Sequence, residues 1–317
     1  MMTKDTLRIV FMGTPEFAVE SLKALVEGAY NVVGVITMPD KPAGRGHKMQ
    51  YSAVKEYALS QNLLLLQPEK LKNEEFIEQL RSLRADLQIV VAFRMLPEVV
   101  WNMPEYGTFN LHASLLPQYR GAAPINWAII NGEKETGATT FFLTHEIDTG
   151  KIILQKKIPI EENDNAGFVH DKLMKIGAEM VAETVDMVLE DRIKTISQEK
   201  LINADSELKI APKIFKENCE LNCNLKVNDA HNFVRGLSPY PAAWIELIFP
   251  QLVEPVSIKL FETKPETVKH TDKIGTVITD SKKEAKIAFQ DGYLHLIEIQ
   301  ASGKKRMKIA DFLNGLR

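Results

Sequence analysis

In the stretch "TFNLHASLLPQYRGAAPINWAIING", residues 108 to 132, an amide and an imidazole, Asn110 and His112, stand two residues apart at the end of an apolar run. Side chains at i and i+2 of a strand point to one side, so both groups face the same place. A carboxamide can donate to an oxygen that gains negative charge. An imidazole can take a proton from an attacking amine or return one to a leaving nitrogen. Asp148, in "THEIDTGK" on the turn after a further strand-like run, can reach the same crevice and orient or charge-stabilise that imidazole. The three together are equipment for acyl transfer without a protein nucleophile. Spacing alone leaves a plainer alternative open, because a lone histidine in a strand is often a satisfied core or surface residue and Asp-Thr-Gly is a common turn. His145 and Glu146 invite a metal reading, but no second histidine follows at i+4 of a helix, so a zinc hydrolase fits poorly and no metal is expected.

Elements that could position these groups are legible around them. Short apolar runs alternate with helical patterns over the first 160 residues or so: "LRIVFMG", "NVVGVIT", "LLLLQ", "LQIVVAF", "GTFNLHAS", "TTFFLT" and "KIILQKKIPI". That alternation predicts βαβ units and a doubly wound, mostly parallel sheet, an α/β fold whose ligands bind beyond the carboxyl ends of the strands. Between the first two runs, "PEFAVESLKALVEG" predicts a crossover helix with Thr14 as N-cap, Pro15 at the first helical position and Gly28 past its end. Further helices are predicted at 53 to 62, 73 to 84, 124 to 131 and 166 to 190. The last carries a core-facing stripe of Val169, Leu173, Ile176, Met180, Thr184 and Met187.

After Asp191 the pattern becomes polar and poorly periodic. Beyond it, "AAWIELIF", "VSIKLFETK", "IGTVITD", "AKIAFQ" and "YLHLIEIQA" alternate as the strands of a small antiparallel, OB-like β-barrel, with helices near 228 to 236 and 309 to 316. The expected organisation is a catalytic domain over 1–190, a linker over 191–212 and a C-terminal β-barrel domain over 213–317. A chain of 317 residues suits two domains.

Composition excludes several classes of function. With 45% hydrophobic and 26% charged residues and no long apolar run, nothing predicts a membrane span. The N-terminus lacks the apolar core and cleavage site of a signal peptide, so a cytoplasmic protein is expected. Cys219 and Cys223 have no second pair at ligand spacing and read as ordinary reduced thiols. Residues 1 to 205 carry 22 basic against 28 acidic side chains and residues 206 to 317 carry 17 against 14, so the halves differ in sign, −6 against +3. The cluster Lys304, Lys305, Arg306 and Lys308 in the basic half is either drawn to polyanions or a solvated surface loop. The first βα turn, "FMGTPEF", has one glycine and lacks the G-x-G-x-x-G that seats a pyrophosphate, and no G-x-x-x-x-G-K-[ST] occurs, so neither a dinucleotide nor a nucleoside triphosphate is expected.

The segments "NLHASLLPQYRGAAPINWAIING" and "GATTFFLTHEIDTGKIIL" together resemble the 10-formyltetrahydrofolate-dependent formyltransferase family, whose signature joins Asn-x-His, Ser-Leu-Leu-Pro and a later Asp-Thr-Gly. The resemblance extends through "FMGTPEFAV", "TMPDKPAGRGHKM", "LSPYPAAW" and "ASGKKRMKIADFLNG" to the branch that formylates methionyl initiator tRNA for translation initiation. It implies Asn110 as oxyanion donor, His112 as general acid/base and Asp148 as its carboxylate partner. It implies 10-formyltetrahydrofolate as co-substrate, with folate contacts at Phe93, Arg94, Met95, Leu96, Ser114, Leu115, Leu116, Pro117, His145, Glu146 and Ile147. For the tRNA it implies a loop at 38 to 50 with Lys41, Arg45, His47 and Lys48, together with Lys304, Lys305 and Arg306; no DNA or membrane partner is expected. One departure is visible. Where many members have "VAYGLILP", this chain has "VAFRMLP", one residue shorter and carrying Arg94. Formyl transfer to another amine, glycinamide ribonucleotide or a nucleotide-linked amino sugar, is the competing expectation. A non-catalytic folate- or RNA-binding protein would not need Asn110, His112 and Asp148 all intact.

Overall fold

The computed structural model describes residues 2–43, 48–202 and 207–316, which gather into two compact units. The first comprises residues up to Arg120, Gly137–Ile158 and His170–Lys209; the second comprises Gly121–Thr136, Pro159–Val169 and residues from Ile210 onward.

The first unit is built on β1 (Ile9–Gly13), α1 (Glu16–Glu27), β2 (Val32–Ile36), a hairpin of β3 (Lys41–Ala43) and β4 (Lys48–Gln50), α2 (Ala53–Ser60), β5 (Leu65–Leu66), α3 (Glu74–Ser82), β6 (Leu87–Val91), α4 (Glu98–Trp101) and β7 (Thr108–His112). After β8 (Arg120–Gly121) and α5 (Pro124–Ile130), which lead into the second unit, come β9 (Glu135–Phe142), β10 (Ile152–Pro159) and α6 (Ala166–Leu189). Seven strands form one sheet in the order β10-β9-β7-β6-β1-β2-β5. β1 runs parallel to β2 and β6, and β6 parallel to β7, while β9 is antiparallel to β7. The chain winds outward through β2 and β5, then returns past β1 to β6 and β7, which is the doubly wound topology the alternating pattern predicts.

β1 and β6 are buried along their whole length, as strands covered by helices on both faces must be. Ile9, Val10, Phe11 and Met12 are fully buried, each contributing roughly 1.5–3 kcal/mol of apolar transfer. Helix starts are fixed locally: Ser52 Oγ accepts from Lys55 N at 3.0 Å to cap α2, and Asn73 Oδ1 accepts from Glu75 N at 2.8 Å to cap α3.

Two local expectations are corrected. α1 begins at Glu16 with Pro15, not Thr14, in the cap position; the Thr14 hydroxyl is buried without a hydrogen-bond partner among the described residues. Gly28 lies just past the end of α1, as expected, and provides room there, since a Cβ would sit 2.6 Å from the Tyr30 ring. The stretch at 38 to 50 is not loop throughout, because β3 and β4 pair antiparallel through Lys41↔Gln50 and Pro42↔Met49.

The second unit holds α5, a short strand β11 (Ile210–Ala211), α7 (Val227–Leu237), β12 (Ala243–Leu247), β13 (Val256–Thr267), β14 (Val277–Thr279), β15 (Ala285–Phe289), β16 (Gly292–Ala301), β17 (Met307–Lys308) and α8 (Ile309–Asn314). Its sheet runs β12-β13-β16-β15-β14 with β17 beside β16, a curled antiparallel half-barrel. Register shifts in the β13–β16 pairing between Leu260 and Thr263 mark where the long ribbon bends. Phe249, Ile258, Leu260, Phe289, Val234 and Leu237 fill the core beneath α7. Gly121, at φ 126°, passes so close to β11 that a Cβ would lie 2.4 Å from Ala211 O.

Candidate active site

β7 ends on the two residues singled out by spacing, with Asn110 half-buried and His112 buried as its last residue. In register, Asn110 stands between Val90 of β6 and Phe141 of β9, and His112 lies opposite Thr139. The Phe141 ring and the imidazole meet in a T-shaped arrangement, 6.5 Å between centroids. Among the described residues the Asn110 carboxamide makes no hydrogen bond, which leaves both of its N–H donors for a ligand.

Both nitrogens of His112 are accounted for. Nε2 lies 2.9 Å from the Tyr119 carbonyl and, since a carbonyl can only accept, Nε2 carries the proton. Nδ1 lies 3.9 Å from Asp148 Oδ2, an ion-pair separation once the imidazole is protonated. The two side chains are 7% and 13% exposed, so the charge pair is sheltered from water and its field little screened.

The loop that supplies Tyr119 O is itself locked. The Ser114 hydroxyl donates to Gln118 O at 2.7 Å, Thr139 Oγ1 donates to Ser114 O at 2.6 Å, and Gln155 Nε2 donates to Leu116 O at 3.0 Å. Tyr119 itself is left-handed (φ 61°) and its N–H donates to Lys209 O at 2.7 Å. On the other flank, Asp148 is a non-glycine residue at φ 56° in a turn braced by Thr149 Oγ1 donating to Glu146 O at 3.1 Å. Gly150 closes the turn, and a Cβ there would fall 1.6 Å from Phe142 O, so the Asp-Thr-Gly sequence needs its glycine for backbone approach.

The remaining expected folate residues divide by exposure. Met95 and Ile147 are exposed, at 74% and 62%. Phe93 and Leu96 pack with Val100 and Leu143, and His145 sits edge-on to Trp101 with Nε2 3.5 Å from Glu98 Oε1, which brings the 145–148 turn against the start of α4. Glu146 is exposed. Ser114, Leu116 and Pro117 are buried and Leu115 half-buried, so that loop offers backbone more than side chain. Arg94 is turned away from this group, its guanidinium donating to the carbonyls of Glu69, at 2.7 Å, and Pro68. The arginine of the shortened segment thus clamps the neighbouring 68–69 loop.

Of the expected tRNA residues, Arg45 and His47 lie outside the described residues, Lys48 begins β4 and Lys41, exposed, begins β3. The hairpin stem is anchored at Asp40, whose carboxyl is held below the usual range by hydrogen bonds from Lys55 and Gln67. Lys304 and Lys305 are exposed, whereas Arg306 pairs with Glu298 and stacks over Phe261, and Lys308 pairs with Glu262 at 3.2 Å. Among the described residues no group of three or more His, Cys, Asp or Glu is placed to hold a metal ion. A residue missed by sequence reasoning, Gln198, is 2% exposed and bonded into the Asp148 turn. Nothing in its polar, aperiodic surroundings signals that role.

The family model for formyl transferase matches residues 7–185 and that for the formyl transferase C-terminal domain matches 213–317, and the chain belongs to this family. Within it, the chain is 62% identical over 316 residues to the methionyl-tRNA formyltransferase of Bacteroides thetaiotaomicron, covering 100% of this chain and 98% of the relative. Among solved structures it is similar to WlaRD, a sugar 3N-formyl transferase crystallised in the presence of dTDP and 5-N-formyl-THF, with a TM-score of 0.62 at 20% identity, covering 94% of this chain and 99% of that one. It is also similar to HypX from Aquifex aeolicus in complex with tetrahydrofolic acid, with a TM-score of 0.63 at 18% identity, covering 98% of this chain and 47% of that one. At such identities these two likenesses are ones of fold. No helix among the described residues is long and apolar enough to cross a membrane.

Proposed function

We propose that this protein transfers the formyl group of 10-formyltetrahydrofolate to the amino group of methionine esterified to initiator tRNA. The observation that carries the chemistry is the placement of His112 between the Tyr119 carbonyl at Nε2 and Asp148 at Nδ1, at the end of the strand that presents Asn110. The full-length relatives support this amine over glycinamide ribonucleotide or an amino sugar.

When bound, the folate supplies an activated one-carbon acyl group on a nitrogen that can leave. Residues of this chain fit such a group: on β7 an amide stands two residues before the histidine of a histidine–aspartate pair, and the exposed Met95 and Ile147 offer apolar surface. Asn110 donates to the oxygen of the formyl group as the amine adds and negative charge collects there. His112, fixed by Tyr119 O, works through Nδ1: it takes up a proton released by the attacking amine and returns it as the nitrogen leaves. Asp148, facing Nδ1, orients the imidazole and balances its charge while the proton is held. No covalent bond to the protein forms. The free amine's C–N bond is made and the donor's C–N bond broken, with one proton moved from the first nitrogen to the second.

In the same reading residues 1–190 carry the chemistry, 213–317 grip the tRNA and 191–212 connect them. Lys41, Arg45, His47, Lys48, Lys304, Lys305 and Arg306 meet its phosphates. The test sets formyl incorporation into methionyl-tRNA beside glycinamide ribonucleotide in one assay. Turnover with the first and none with the second is expected, and preference for the ribonucleotide would overturn the substrate. Asn110→Ala should cost on the order of 100- to 1,000-fold in turnover while leaving the fold intact.

A further inference from the structure

The side-chain amide of Gln198 is 2% exposed and uses all four of its hydrogen-bonding positions. Its Oε1 accepts from Nε and Nη2 of Arg120, at 3.1 and 2.7 Å. Its Nε2 donates to the carbonyls of Asp148 and Gly150, at 2.8 and 2.9 Å. Arg120 directly follows Tyr119, whose carbonyl receives the Nε2 proton of His112, and Asp148 bears the carboxylate that faces Nδ1. One side chain therefore ties together the two segments that hold opposite sides of the same imidazole. The residue is itself held in place by a backbone bridge just ahead of it, where Ile152 and Ile196 exchange N–H···O bonds of 2.9 Å each way.

We propose that Gln198 and Arg120 are positioning residues for the His112–Asp148 pair, a role that rests on the catalytic reading of that pair. Only a carboxamide meets the local demand. The Asp148 turn presents two carbonyls that need donors, and the Arg120 fork presents two N–H groups that need an acceptor. A carboxylate at 198 would serve the arginine and repel the carbonyls; an apolar side chain would deprive all four groups of this partner, the Gly150 carbonyl in a buried place. Asp148 sits at a positive φ that a non-glycine residue keeps only when its surroundings hold it there, so loss of the two donors lets the carboxylate move. A displacement of an ångström at a catalytic pair costs on the order of 100-fold in rate.

The experiment is a pair of single substitutions read against Asp148→Asn. Gln198→Glu keeps the acceptor for Arg120 and removes the donors to the turn. It is expected to lower kcat by on the order of 10- to 100-fold, to leave KM for methionyl-tRNA within a few-fold, and to shift the His112 titration followed by NMR of the imidazole carbons. In the Asp148→Asn background the same substitution is expected to cost little more, because it acts through the residue already altered. Arg120→Lys, on a partly exposed side chain, is the second variant should Gln198→Glu fold poorly, and the same displaced His112 titration is expected of it. An unmoved titration, or a loss in kcat that adds fully to that of Asp148→Asn, overturns the positioning role. An inactive parent protein, or an Asp148→Asn variant with normal turnover, overturns the catalytic reading instead.

Discussion

The Nε2 proton of His112 is held by the carbonyl of Tyr119, seven residues further along the chain, at 2.9 Å. This bond selects the tautomer: the nitrogen left for proton exchange is Nδ1, and that nitrogen faces Asp148. The neutral enzyme should accordingly show His112 as the Nε2–H tautomer by nitrogen-15 NMR. An Nδ1–H majority would contradict the assigned proton path.

Asp148→Asn preserves the shape of the turn and removes the negative charge that faces Nδ1 of His112. Turnover is expected to fall by on the order of 100-fold or more, with little change in the urea midpoint. Steady-state rates alongside denaturation curves decide it. Wild-type turnover in this variant would remove the carboxylate from the mechanism.

Gly150→Ala should damage both fold and rate, since the added methyl would lie 1.6 Å from Phe142 O and backbone has to move. A destabilisation of more than about 2 kcal/mol is expected from such overpacking. Chemical denaturation measures it, and a neutral result would mean that the turn at Asp148 relaxes freely.

His231 links pH to the stability of the second unit. It is 8% exposed, with Nδ1 3.0 Å from Thr263 Oγ1, and burial first, then the nearby Arg235, push its pKa down to about 4 from the ordinary 6.5. The unfolded chain therefore binds this proton at a higher pH than the folded chain does. The stabilising difference is fully present above about pH 6.5 and is lost as pH falls toward 4, amounting to at most about 3 kcal/mol. His231→Gln should flatten the stability profile across that window; an unchanged slope would assign the dependence to other groups.

Arg45→Ala and the double substitution Lys304→Ala with Lys305→Ala should each weaken methionyl-tRNA use more than folate use. Removing one cation from a phosphate is expected to lower the slope of log affinity against log salt by roughly 0.7 to 0.9. Arg306→Ala should do less, because its guanidinium already pairs with Glu298. Equal slopes in all variants across a salt series would place the tRNA elsewhere.

Short-range pattern in the chain is enough to place much of the first unit. Alternating apolar runs locate β1, β2, β6 and β7, because each strand must bury both faces, and i, i+2 spacing puts Asn110 and His112 on one side of β7. The stripe along α6 marks its core face, with Val169, Leu173, Met180 and Thr184 all fully buried. Helix caps are less legible: Asn73, which caps α3, falls inside the helix expected at 73 to 84, and the cap expected at Thr14 is taken by Pro15. Folding in three dimensions was needed to show that Asp148 comes to face His112, which imidazole nitrogen the Tyr119 carbonyl holds, and that Arg94 clamps a loop. It also brings out Gln198, whose partners lie 78, 50 and 48 residues away and leave no periodic trace. Periodicity records which faces avoid water, a demand that each residue meets with its near neighbours. A buried hydrogen bond between distant segments depends on the path of the whole chain, and a lone polar residue in an aperiodic stretch reads the same whether it faces solvent or braces a catalytic turn.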